Sequence, residues 1–183
     1  MTCRLKVLIL ATFLLCFYSN SFAIPNDDTV LLKAKSFEFD GENNLFSAKG
    51  NVNIIYGKLK IWAKKGYYKK NSKILEAKGR VIAKQKKMTL YCKHLKALLK
   101  KDTIEAKGRV KVLFLDYVGT ADRLVYNLKE EKAFLIGDPK VVQGRDTLKA
   151  EKIIMNFKNN TIQTKGKTKI KVIPKDKEEG VSQ

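Results

Sequence analysis

The stretch Glu76-Ala77-Lys78-Gly79-Arg80-Val81 (EAKGRV) returns letter for letter at residues 105–110. Its glycines, Gly79 and Gly108, are 29 residues apart, and the same step reaches Gly50, Gly137 and Gly166. Ala34, Ala63, Ala121 and Ala150 keep a common phase of their own, with Cys92 in the slot between. A fixed period of this size marks stacked supersecondary units, none of which can bury its apolar face alone.

The period inside the unit is two. Phe46, Ala48, Gly50, Val52, Ile54 and Tyr56 fall on alternate positions; so do Leu75, Ala77, Gly79 and Val81, and again Ile104, Ala106, Gly108, Val110, Val112 and Phe114. Such alternation marks half-buried strands, with the intervening lysines and arginines turned outward. A second alternating set comprises Phe37 with Phe39, Leu95 with Ala97, Leu124 with Tyr126, and Ile153 with Met155, while Leu135, Val141 and Ile170 carry the inward series through the later units. Polar, turn-rich connectors separate the sets: 40–44, 69–73, 100–102, 129–132 and 158–160. From Leu59, Ile61 and Ala63 the next inward place comes an odd number of residues later, so a bulge or bend is expected at that phase in every unit. A glycine inside a strand weakens it unless the backbone bends or approaches something closely, so the five phased glycines are expected at a corner. The reading is an all-β chain: about five 29-residue hairpin units wrapped into two facing, mostly antiparallel sheets, a β-jelly-roll.

The N-terminus is of another kind. Arg4 and Lys6 precede an apolar run from Val7 to Tyr18, and the segment ends in Ser21-Phe22-Ala23, with small residues at the two places a signal peptidase reads. Residues 1–23 read as a cleaved secretory signal, 24–173 as the β-domain, and 174–183 as a charged, disordered tail. An uncleaved membrane anchor is the competing reading, against which the run is short of the ~20 apolar residues a span needs. A lipoprotein site at Cys16 is disfavoured by Leu15 before it.

Cleavage would remove Cys3 and Cys16 and leave Cys92 alone, which excludes an intrachain disulfide or an all-cysteine metal site. In an alanine slot, Cys92 reads as a small packing residue. The one histidine, His94, has no second histidine to share a metal, and no serine or acid has a catalytic setting. No Walker-type phosphate loop occurs. The expectation is therefore a non-enzyme without cofactor or metal. The whole chain carries +20, and about +18 persists without Arg4 and Lys6, a field that attracts polyanions: nucleic acid, an acidic membrane surface or a phosphorylated glycolipid. A lysine-rich solvated surface accounts for it equally well.

The recurrent A-x-G-x-V hairpins SAKGNV, EAKGRV and EAKGRV, with IGDPKVVQGRDTLKAEKIIMNF at 136–157, resemble the OstA-like lipopolysaccharide transport family over residues 29–173. The single domain behind a signal is most similar to the family's periplasmic bridge member. The resemblance implies a jelly-roll open along one side, carrying lipid A acyl chains in a groove lined by Phe37, Phe39, Phe46, Val52, Ile54, Tyr56, Leu75, Val81, Val110, Val112, Phe114, Leu124, Tyr126, Leu135, Val141, Ile153, Met155 and Ile170. It also implies partners: lipopolysaccharide, an inner-membrane LptC-like protein with an ATP-driven extraction complex, an outer-membrane LptD-like translocon, and further copies joined end to end through edge strands. The pattern departs at 135–139 and 164–168, where alanine and valine slots differ. From the residues alone, an apolar interior is equally a closed core and a slot for acyl chains. A membrane-anchored LptC-like relative, a basic β-protein binding nucleic acid and a β-repeat adhesin remain as rival readings. Against the second, aromatic platforms among exposed basic residues are missing, since most aromatics fall on the inward phase.

Overall fold

Alternating apolar residues in twelve-residue runs make strands too long to lie flat over a small core, and the chain resolves this by bending every long strand at one phase. The computed structural model describes residues 29–174, and both the expected signal and the expected tail, Pro174 apart, lie outside the described residues. The strands are β1 Val30–Lys33, β2 Ser36–Asp40, β3 Leu45–Tyr56, β4 Leu59–Lys69, β5 Ile74–Gln85, β6 Met88–Leu98, β7 Thr103–Phe114, β8 Tyr117–Asn127, β9 Lys132–Ile136, β10 Lys140–Gln143, β11 Asp146–Asn156 and β12 Thr161–Lys171. All pairings are antiparallel, and one hydrogen-bonded sheet runs β1-β3-β4-β5-β6-β7-β8-β10-β11-β12. β2 continues the arm of β1 along β3, and β9 continues that of β10 between β8 and β11.

The bend sits where the glycines are. Lys49 pairs with Lys65 and Val52 with Ala63, so Gly50 and Asn51 oppose the single residue Lys64. The same one-residue excess recurs from β4 to β8, each time at the glycine and its successor. It is a β-bulge repeated in register, which bends the strand without ending its pairing. Gly108 shows why glycine is needed: its φ is +81°, and a Cβ there would stand 3.0 Å from the Cβ of Lys93, whose stem lies across it. In the fourth unit Pro139 takes the place held by Val81 and Val110, and with no N–H to donate it splits that arm into β9 and β10.

The two halves of the bent sheet face each other. Gly119, on β8 beside β10, would with a Cβ meet Leu135 of β9 at 2.9 Å and the sulfur of Met155 at 3.2 Å, both from the opposite half. The expected two facing sheets are thus halves of one sheet, because the bulge keeps the ladders on both of its sides. Between them lies one core cluster, including Ile54, Leu75, Leu90, Leu95, Ile104, Leu124, Leu135 and Ile153, all fully buried, and no polar or charged residue is buried among the described residues.

Turns obey the same period. Asn44, Lys73, Asp102, Glu131 and Asn160 have left-handed φ, as do Gly57, Lys86, Leu115 and Gly144 at the other ends of the hairpins. Successive turns are tied together: the N–H groups of Lys70, Leu99, Leu128 and Phe157 donate to the carbonyls of Asn44, Lys73, Asp102 and Glu131 at 2.8–3.1 Å. The hydrogen-bonded ladder thereby extends past the strand ends and holds non-glycine residues in a conformation that costs each roughly 1–2 kcal/mol.

Candidate functional site: an apolar interior with open edges and an open mouth

A strand sheet folded along its bulges is closed on the bulge side and leaves three openings: the edge at β1 and β2, the edge at β12, and the long side where the two rows of turns confront one another. Fifteen of the eighteen residues assigned to the groove lie in or against the interior. Val52, Ile54, Leu75, Val81, Val110, Val112, Phe114, Leu124, Tyr126, Leu135, Val141, Ile153 and Met155 are buried, and Phe46 and Tyr56 half-buried. Phe37, Phe39 and Ile170 differ from the rest in being uncovered, at 54%, 55% and 64% exposed. They do face inward, since Phe37 pairs with buried Ala48, Phe39 stacks on Phe46 at 4.5 Å between centroids, and Ile170 pairs with Leu148. Each stands on a terminal strand with a neighbour on one side only, so nothing covers it. Leu31, Val172 and Ile173 join them as exposed apolar residues at the two edges.

At the β12 edge a cavity of about 320 Å³ opens between the halves, lined by Tyr117, Val141, Leu148, Ile162, Ile170 and Val172 among others. On the turn side a cavity of about 400 Å³ has an apolar floor of Met88, Phe114, Tyr126 and Phe157, in which Phe157 lies 4.6 Å from Phe114 and 5.6 Å from Tyr126 between ring centroids. Both volumes fall within the ~300–1,000 Å³ of small-molecule sites. Burial, and secondarily the Glu131 carboxylate, holds the Tyr126 phenol above its ordinary pKa, so it stays neutral. Sequence reasoning missed Met88 and Phe157: the phase of Phe157 runs Gly41, Lys70, Leu99, Leu128, and becomes apolar only in the later units.

No cluster of metal-ligating side chains occurs among the described residues. His94 lies on the outer face with Nε2 3.4 Å from Glu76. Cys92 is buried, which pushes its thiol up to about 12. Alkylation at pH 8 is accordingly expected to run roughly a thousandfold slower in the native protein than in urea, because only the thiolate reacts. Equal rates in a timed iodoacetamide assay would place the thiol at the surface.

Comparison with known proteins now bears on this architecture. A model of the family described as LptA/(LptD N-terminal domain) LPS transport protein matches residues 31–161. The chain belongs to this family. The match begins on β1 and ends on the first residue of β12, so it takes in nearly the whole folded sheet. Among solved structures, the chain is similar to LptH, described as the LptA homologous periplasmic component of the conserved lipopolysaccharide transport device from Pseudomonas aeruginosa, at 15% identity and a TM-score of 0.36, covering 81% of this chain and 97% of that one. No curated protein matches by sequence. The chain is thus an all-β member of a lipopolysaccharide transport family.

Proposed function

We propose that this protein is a periplasmic lipopolysaccharide carrier of the LptA kind, holding lipid A acyl chains between the two halves of its folded sheet while the sugars and phosphates stay outside. Copies join end to end through β12 and the β1–β2 arm into a bridge from an inner-membrane LptC-like protein, with its ATP-driven extraction complex, to an outer-membrane LptD-like translocon. The observation that carries the reading is an entirely apolar interior that remains open at both sheet edges and along the turn side. Unpaired edges bearing Phe37, Phe39 and Ile170 are costly in a lone chain and are relieved by strand addition. Most interior side chains pack against each other, so acyl chains enter by parting the halves and take over contacts the core makes with itself. Family membership supports the cargo, and the signal-like N-terminal sequence supports the compartment. With no nucleotide motif in the chain, the protein is a passive conduit driven by its partners.

A photo-crosslinking residue at Tyr56, Phe114 or Tyr126 is expected to capture lipopolysaccharide in living cells, whereas one at exposed Lys111, on the outer face of β7, captures none. Equal labelling at all four positions would sink the interior path.

A further inference from the structure

Across the open side, an ion pair joins the two rows of turns: the ammonium of Lys86, in the β5–β6 turn, is paired to the carboxylate of Glu131, in the β8–β9 turn. The pair stands between two cavities, the one floored by Phe114, Tyr126 and Phe157 and a second of about 290 Å³ beside Tyr56, Leu59 and Leu128, and Lys86, Glu131 and Gln85 line both. Elsewhere in the repeat the place of Lys86 is taken by Gly57, Leu115 and Gly144, so the arrangement occurs once, near the middle of the sheet.

Two features do not suit a purely structural tie. Lys87 and Lys158 line the same mouth, and neither has an ion-pair partner among the described residues. The floor beneath is apolar. The mouth therefore presents cations above an apolar bed, with one carboxylate occupying the position where an incoming anion would bind.

We propose that this mouth is a phosphate-recognition site for a phosphorylated amphiphile, and that Glu131 is its built-in competitor: the ligand's phosphate displaces the carboxylate from Lys86 and is flanked by Lys87 and Lys158. Phosphate offers the stronger partner because it carries more charge and more acceptor oxygens than a carboxylate. The inference rests on the carrier reading above and adds where the phosphate of its cargo is held.

The test uses bisphosphorylated lipid A in detergent micelles, the same lipid after phosphatase treatment, and inorganic phosphate. Glu131→Gln keeps the turn, since the backbone carbonyl of residue 131 still accepts from the Phe157 N–H. It is expected to raise the association rate of the phosphorylated lipid roughly twofold to fivefold, the worth of a partly exposed ion pair. Lys86→Met breaks the same tie and is expected to lower affinity for that lipid by a similar factor. Neither change should alter binding of the phosphatase-treated lipid. A tie that is only mechanical would let both variants speed uptake of both lipids, and that outcome overturns the site while leaving the carrier intact. Unchanged binding in both variants does the same. Inorganic phosphate binding as tightly as the lipid would make this a free-anion site and overturn the amphiphile. Failure of the wild-type protein and both variants to bind either lipid overturns the carrier reading itself, and this site with it.

Discussion

Deleting residues 168–183, or replacing Ile170 with lysine, is expected to yield a folded monomer that no longer forms concentration-dependent oligomers. β12 pairs only with β11, and the β1–β2 arm only with β3, so each end of the sheet presents unpaired backbone groups. Counting β1 with β2 and β9 with β10, the sheet has an even number of alternating arms, so a second copy continues the antiparallel order. The repeat also sets the register. Shifting the β3–β4 pairing by whole periods brings Ile162 opposite Phe39 of the next copy, Thr164 opposite its Phe37 and Ile170 opposite its Leu32. The exposed apolar residues of both edges then cover one another, at about 1.5–3 kcal/mol for each large side chain fully buried. On the outer face the same register sets Gln163 opposite Glu38 and Lys165 one pair further along, but Lys169 opposite Lys33, so the apolar face and not charge favours the junction. Because Ile170 is already exposed in the monomer, lysine there costs the monomer little but puts a charge into the junction. Such contacts are heterologous and open-ended, so the wild type should show a ladder rather than one size. If both variants are folded by circular dichroism yet give the wild-type ladder in light scattering, edge pairing is not what joins the copies.

Leu124→Ala should be the most damaging of the simple truncations. Leu124 is fully buried on β8, opposite Ala106 on one side and Leu135 on the other, in the half of the sheet that faces Gly119 and Val112. Losing a buried leucine costs about 2–5 kcal/mol, the spread depending on how far the site collapses. For a domain of this size that lowers Tm by roughly 4–20 °C. Phe37→Ala is the control: of the same groove series, but uncovered in the monomer, it should change stability by no more than about 0.5 kcal/mol. Thermal melts at a concentration where the protein is monomeric separate the two. A Leu124→Ala melt indistinguishable from wild type would mean that the halves are not packed against each other, and that the interior is a pre-formed slot.

Much of this was legible in the sequence because it depends on neighbours a few residues apart. Alternation of apolar and charged residues dictates which face of each strand turns inward, and glycines spaced at 29 mark, once in each unit, the bulge at which the strand and its neighbours bend, since a left-handed backbone is cheapest there. The same spacing implied the hairpins and the phase of their connectors. Tertiary structure decided the rest, because whether an inward residue is covered depends on what lies across from it. Phe39 and Tyr126 read alike along the chain, yet one is exposed at an edge and the other buried beneath a turn. The short turns at Lys86-Lys87 and Leu115-Asp116 carry no glycine, and only the hydrogen-bonded ladder on either side holds them in place. Whether the two faces belong to separate sheets or to one turned on the ladders, which resume beyond each bulge between the same two strands. The pairing of Lys86 with Glu131, 45 residues apart, exists only because the fold brings two rows of turns face to face, a juxtaposition that no local pattern encodes.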